Sequence, residues 1–261
     1  MTAPLAIIGG TGLSTLETLR ITREEMLTTP YGPPSAPVIH GQLGDQAVLF
    51  LARHGPDHTV PPHKINYRAN LWALHQLGAR QVLAVAAVGG IRGDMVPGVL
   101  AFPDQLVDYT WGRRCTFFDD EHSPVTHIDF TEPYCQKLRM RLIQASRALH
   151  LAAPESGVYA AMQGPRLETA AEVRKLERDG CDMVGMTGMP EAALARELGL
   201  RYAVCAVVAN WAAGKMPGEI TMADIERNLL AGMVQVQRLL AQVAALTLAA
   251  PEAALSRTAA W

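Results

Sequence analysis

Short apolar runs that end in glycine or small polar turns alternate along this chain with segments whose apolar residues recur every three or four positions. The first pattern predicts strands buried on both faces, the second amphipathic helices. Strands are predicted over Leu5–Ile8, Ala47–Ala52, Gln81–Val88, Val99–Val107, Gly157–Met162, Asp182–Met186 and Tyr202–Ala209. Helices are predicted over Lys64–Leu77, Pro133–Leu149, Thr169–Arg178, Pro190–Leu198 and Met222–Leu248. Gly78 is placed to stop the first helix, and Pro190 stands in a first turn, where a missing N–H does no harm.

Alternation of this kind, with glycine-rich turns after the strands, argues for an α/β fold. One domain is expected over residues 1–248, with a central mixed, largely parallel twisted sheet flanked by helices. Residues 249–261 form a tail without pattern, expected to be loose. In such sheets ligands sit beyond the carboxyl ends of the strands. Gly9–Gly12, Arg53–His54, Ala87–Gly90, Gln163–Glu168, Met186–Thr187 and Asn210 all fall at such ends.

Composition narrows the class further. The chain has 261 residues, 49% apolar and 18% charged, which is globular and large enough for a sizeable core. A net charge of -2 offers no electrostatic footprint for nucleic acid or an anionic membrane, so an anion site must be local. The start, Met1-Thr2-Ala3-Pro4, lacks the basic and long apolar regions of a signal peptide, and no uninterrupted apolar run is long enough to span a bilayer. Cys115, Cys135, Cys181 and Cys205 are widely spaced. Reduced, mostly buried thiols in a cytoplasmic protein are expected.

Taken singly, the turns are ambiguous. Gly9-Gly10-Thr11-Gly12 could cradle an anion through backbone N–H groups and the Thr11 hydroxyl, although a tight turn is the plainer reading of that segment alone. It is neither GxGxxG nor a P-loop. Arg53 could fork onto phosphate oxygens and His54 could donate from a ring nitrogen, or both could be polar residues at a loop start. His54, His58 and His63 match no standard zinc spacing, so no metal is expected. Thr187, at a helix mouth, could meet an anion or cap the helix. Met222, Ala223 and Ile225 could line an apolar pocket or pack in the core.

Together and in order, Gly9-Gly10-Thr11-Gly12-Leu13, Arg53-His54-Gly55, Asn66-Tyr67-Arg68-Ala69-Asn70, Gly164-Pro165-Arg166 and Met186-Thr187 through Pro190-Glu191 resemble the trimeric purine nucleoside phosphorylase and methylthioadenosine phosphorylase family. The resemblance runs from about Leu5 to about Leu240. It implies an enzyme in which inorganic phosphate, a co-substrate, attacks C1′ of a purine nucleoside, without a metal or organic cofactor. It implies Thr11, Arg53, His54 and Thr187 as phosphate ligands, with a backbone N–H at Ala87 and Met186 against the ribose. It also implies a homotrimer in which His127 reaches the neighbouring subunit's site. Ala86 departs from the family, where Thr or Asn is common.

The family's base-reading positions fall at Glu168, Asn210 and Ala212. Adenine-type members carry Asp where this chain has Asn210 and Ala212. An ionised Glu accepts from the N1–H of a 6-oxopurine, and an Asn amide donates toward N7. Mispairing in such a site costs roughly 10⁴–10⁵ in discrimination. Members that take ordinary ribonucleosides place a His near the start of the last helix; here Met222, Ala223 and Ile225 stand there, and no His follows His150. The resemblance thus implies a 6-oxopurine nucleoside with a 5′-methylthio group. A general 6-oxopurine phosphorylase, a methylthioadenosine phosphorylase and a non-catalytic binding protein on the same fold remain as alternatives.

Overall fold

The computed structural model describes residues 3–10, 18–119 and 124–249. Thr11 and the tail beyond residue 249, both singled out in the sequence, lie outside the described residues. The strands are β1 (Leu5–Gly9), β2 (Arg20–Glu25), β3 (Val38–Leu43), β4 (Gln46–Ala52), β5 (Gln81–Gly90), β6 (Leu100–Ala101), β7 (Gln105–Asp108), β8 (Val158–Ala161), β9 (Met183–Gly185) and β10 (Arg201–Trp211). The helices are α1 (Tyr67–Gln76), α2 (Gln136–Ala148), α3 (Ala170–Arg178), α4 (Gly188–Glu197) and α5 (Met222–Ala249).

The sheet runs β2-β3-β4-β1-β5-β9-β8-β7, and β10 pairs with β5 and with β6. Five of the nine pairings among the described residues are parallel, so the sheet is mixed and largely parallel, as expected. The sheet forks at β5. β10 follows one edge of β5 along its whole length, while β1 pairs with the other edge only as far as Ala84. β9 joins that edge antiparallel at Gly89 and Gly90. Among the described residues, no strand covers Val85–Val88 on that side, and the gap opens beyond the carboxyl ends of β1 and β4.

Helices bury both faces. Leu229, Met233, Val236, Leu240 and Val243 of α5 pack with α2 on one side, and α1 and α4 cover the other. By length and composition α5 is apolar enough to cross a membrane, although Gln235, Gln237 and Arg238 interrupt its apolar run. Its inner stripe is buried in the protein core, the situation of a core helix.

Several boundaries differ from the sequence pattern for identifiable reasons. Val99–Val107 is two strands, because Phe102-Pro103-Asp104 turns the chain from an antiparallel pairing with β10 to a parallel one with β8. The first helix is a 3₁₀ turn, Pro62–Lys64, followed by α1, whose start is fixed by the Asn66 side chain accepting from Ala69 N at 3.1 Å. In α4 a non-helical Met189 precedes Pro190, so the proline follows a break. β2 and β3 have no counterpart in the apolar pattern; the charged sequence of β2 suits an exposed edge.

Candidate active site

The fork in the sheet opens into a cavity of about 420 Å³, a size suited to a small organic ligand. Gly10, Arg53, His54, Ala87, Met186, Thr187, Glu168, Asn210 and Ala212 line it, as do Met222 and Ile225 of α5. Ten of the sequence-predicted site residues therefore meet in one place: all of these except Gly10, which was singled out only within its turn.

Arg53 lies at the deep end with 1% of its surface exposed. Its Nε and Nη2 donate to Glu191 Oε2 and Oε1 at 2.7 and 2.8 Å, and its Nη1 donates to Val85 O at 3.1 Å, on the unpaired edge of β5. The Tyr202 hydroxyl donates to Glu191 Oε1 at 2.7 Å. Burial works against the guanidinium charge, yet the Glu191 carboxylate more than offsets it and holds Arg53 above the ordinary arginine value. Glu191 takes the face of Arg53 formed by Nε and Nη2. Three of its five N–H groups are engaged, which leaves two for a ligand. Gly10 must be glycine for space, since a Cβ would stand 2.5 Å from Val85 O and 3.1 Å from Arg53 Nη1.

His54 is also buried. Its Nδ1 is 2.8 Å from Val60 O, and a carbonyl only accepts, so Nδ1 carries the proton. Burial, and then the neighbouring Arg53 charge, push the imidazole down to about 4. With Nδ1 engaged, Nε2 is the ring nitrogen that no hydrogen bond among the described residues takes up. Thr187 occupies the N-cap position of α4 but makes no side-chain capping bond; it lines the cavity beside the Tyr159 hydroxyl, which accepts from Thr187 N at 3.4 Å.

The shallow end is set by two loops. Glu168 directly precedes the Thr169 cap of α3, where Thr169 and Glu172 form a reciprocal capping box. Arg166 grips Glu172 from the other side at 2.7 and 2.8 Å, pinning the chain on both sides of Glu168. Burial raises the Glu168 carboxyl above its ordinary value. Asn210 follows a bulge in β10, where the register to β5 shifts between Val208 and Asn210. The extra residue turns both Ala209 and Asn210 toward the cavity. The Asn210 amide donates to Trp211 O at 2.7 Å, leaving its second N–H and its oxygen for a ligand.

Arg113, which the sequence did not single out, joins the two loops. It donates to Met162 O at 3.2 Å, Gln163 O at 2.8 Å and Gln163 Oε1 at 3.1 Å on the side of Glu168. It also donates to Met186 O at 2.8 Å and Met189 O at 2.5 Å beside Thr187, and to the Tyr67 hydroxyl at 3.3 Å. Gly164, at φ +61°, packs so closely on Met186 that a Cβ would lie 2.4 Å from its sulfur.

Two predicted residues lie elsewhere. Ala223 is exposed and does not line the cavity, because one step along a helix turns about 100° and Met222, Ile225 and Leu229 hold the inward face. His127 is exposed on a loop, outside the cavity of its own chain. Ile220 and Leu229 extend the apolar lining beyond the residues the sequence indicated. Cys135, Cys181 and Cys205 are buried and Cys115 is exposed, all as free thiols.

A forked α/β sheet with a cavity holding a buried arginine, a neutral histidine and a carboxylate–carboxamide pair defines a small-molecule enzyme site. The chain belongs to the phosphorylase superfamily, whose family model matches residues 4–245. It is 57% identical to a protein of Pseudomonas syringae pv. tomato named "Probable S-methyl-5'-thioinosine phosphorylase", over 91% of this chain and 97% of the relative. It is 47% identical to the 6-oxopurine nucleoside phosphorylase of Pyrococcus furiosus, over 85% and 84%. The solved methylthioadenosine phosphorylase of Schistosoma mansoni in complex with adenine superposes with a TM-score of 0.91 at 34% identity, covering 95% of this chain and 93% of that one.

Proposed function

We propose that this enzyme cleaves S-methyl-5′-thioinosine with inorganic phosphate, giving hypoxanthine and 5-methylthioribose 1-phosphate. The observation that carries the reading is the pairing of Glu168 and Asn210 in the same cavity as an apolar lining of Ile220, Met222, Ile225 and Leu229. Glu168 accepts from N1–H of the oxopurine and Asn210 donates toward N7. The apolar side chains take the methylthio group. The name of the Pseudomonas syringae pv. tomato relative agrees with this choice.

In the reaction the bond from C1′ to the purine breaks with its electron pair moving to the base, and an oxygen of phosphate bonds to C1′. Asn210 stabilises the negative charge developing around N7, and Glu168 orients the base. The two remaining N–H groups of Arg53, the His54 ring, the Thr187 hydroxyl, the backbone N–H at Ala87 and Thr11 hold the phosphate. Met186 packs on the sugar. The working form is a homotrimer in which His127 completes the neighbouring site. No metal or organic cofactor takes part. A cytoplasmic location suits a salvage enzyme of this kind.

A general 6-oxopurine nucleoside phosphorylase is the second reading, favoured by the Pyrococcus furiosus relative. Phosphate-dependent cleavage of methylthioinosine, inosine and methylthioadenosine, compared as kcat/KM, tests the choice. Preference for methylthioinosine supports the proposal. Preference for inosine removes the methylthio argument, and preference for methylthioadenosine overturns the base assignment.

A further inference from the structure

Asn228 stands on α5 three residues after Ile225 and one before Leu229, both of which line the apolar end of the cavity. It is half-buried, and its Nδ2 donates to Ala209 O at 2.8 Å. Ala209 is the extra residue of the β10 bulge. The register to β5 passes from Val208 opposite Val88 to Asn210 opposite Gly89 and leaves Ala209 without a partner there. Ala209 O and Asn210 N belong to one peptide plane. The bond from Asn228 therefore fixes the rotation of the peptide that leads into the Asn210 Cα. On the far side of Asn210, its own amide donates to Trp211 O at 2.7 Å. Ala209 is 2% exposed, and an unpaired carbonyl in so buried a place is unfavourable.

We propose that Asn228 is a positioning residue for base recognition: through Ala209 O it sets the peptide that carries Asn210 and so aims the Asn210 amide at the purine. The inference rests on the phosphorolytic reading and on Asn210 as the donor toward N7. Without Asn228 the peptide between Ala209 and Asn210 turns to satisfy its carbonyl elsewhere, and the direction of the Asn210 side chain turns with it. A donor displaced in this way meets the charge developing on the base at a poorer distance and angle. The loss falls on the transition state more than on the bound nucleoside. The contact also joins the helix that lines the apolar end to the strand that reads the base, so a hydrogen bond ties together the elements that hold the two ends of a nucleoside. Asn228 itself does not line the cavity and acts through its neighbour.

The test is a double-mutant cycle on the full-length enzyme, with methylthioinosine and inosine as nucleosides, since both carry the oxopurine. Asn228→Ala removes the donor. Asn228→Asp keeps the size of the side chain but replaces the donor by an acceptor, and it carries the same cycle should the alanine variant fail to fold. Each is expected to lower kcat by about tenfold or more while the KM for phosphate stays within about twofold. In an Asn210→Ala background there is no amide left to aim, and the same changes at Asn228 should cost less than about twofold. An equal fall in both backgrounds, or an unchanged kcat in Asn228→Ala, overturns the inference while phosphorolysis stands. A matching rise in the KM for phosphate marks a general loosening of the fold and overturns it as well. Wild-type enzyme that cleaves neither nucleoside in a phosphate-dependent way overturns the phosphorolytic reading and this inference with it.

Discussion

Glu191 takes two parallel N–H groups of Arg53 at 2.7 and 2.8 Å, across 138 residues of sequence, with both side chains 1% exposed. The pair sits under the unpaired edge of β5 and fixes which N–H groups of Arg53 remain for a ligand. Removing one partner of a buried pair leaves the other charge uncompensated, which costs about 3–5 kcal/mol. Glu191→Ala is therefore expected to lower unfolding stability by that amount in denaturant titrations. Glu191→Gln keeps the shape but loses the charge, and it should raise the KM for phosphate more than it lowers kcat. An unchanged KM for phosphate in a folded Glu191→Gln enzyme would show that the pair holds the fold and not the anion site.

Arg113 has a different chemistry, because its partners are four backbone carbonyls, the Gln163 side-chain amide oxygen and the Tyr67 hydroxyl, with no carboxylate among them. A planar guanidinium can span these acceptors on two loops, whereas a lysine ammonium is a point donor. Arg113→Lys is expected to lower kcat/KM for the nucleoside by about tenfold or more, since the spacing between Glu168 and Met186 is lost. Free guanidinium should restore part of the activity of Arg113→Ala. A lysine variant with wild-type kinetics would remove Arg113 from any positioning role.

What the sequence made legible, and what it did not, follows from the range of each interaction. Turns at strand ends are local, so Arg53, His54, Met186, Thr187 and Asn210 could be placed at strand ends from the pattern, while their roles rested on the family resemblance. The partners that set their chemistry are remote. Glu191 was visible only as part of a motif, and nothing local distinguishes Arg113, which bridges two loops, from Arg114, which is exposed and pairs with Asp119. The tautomer of His54 depends on a backbone carbonyl six residues away. Ala223 failed for a matter of helix phase, and the bulge that turns Asn210 inward has no signature in an apolar run. β2 was missed because a charged edge strand lacks alternation.

At the base end, Asn210→Asp exchanges an amide that always donates for a group that donates only when protonated. The variant is expected to lose kcat/KM on the 6-oxopurine substrate by about a hundredfold, in line with removal of one transition-state donor. It should gain on methylthioadenosine relative to methylthioinosine. The checks are steady-state kinetics on both substrates; the base assignment is lost if the ratio between them does not move.

Glu168 gives the reaction its acid limit. Burial raises its carboxyl above the ordinary value of 4.5. Accepting from N1–H requires the ionised form, so kcat/KM should fall as pH drops through the raised value, at a pH higher than an unperturbed glutamate would give. The stability effect has the opposite sense. The folded state holds the proton more tightly than the unfolded chain, so the contribution of Glu168 is most favourable below 4.5 and is lost as pH rises through the folded value. Glu168→Gln should therefore leave unfolding stability at neutral pH unchanged or slightly higher. Its amide oxygen still accepts from N1–H, so some activity remains, and the acid limb should move to lower pH. An acid limb that stays in place in Glu168→Gln would assign the titration to another group and remove Glu168 from base recognition.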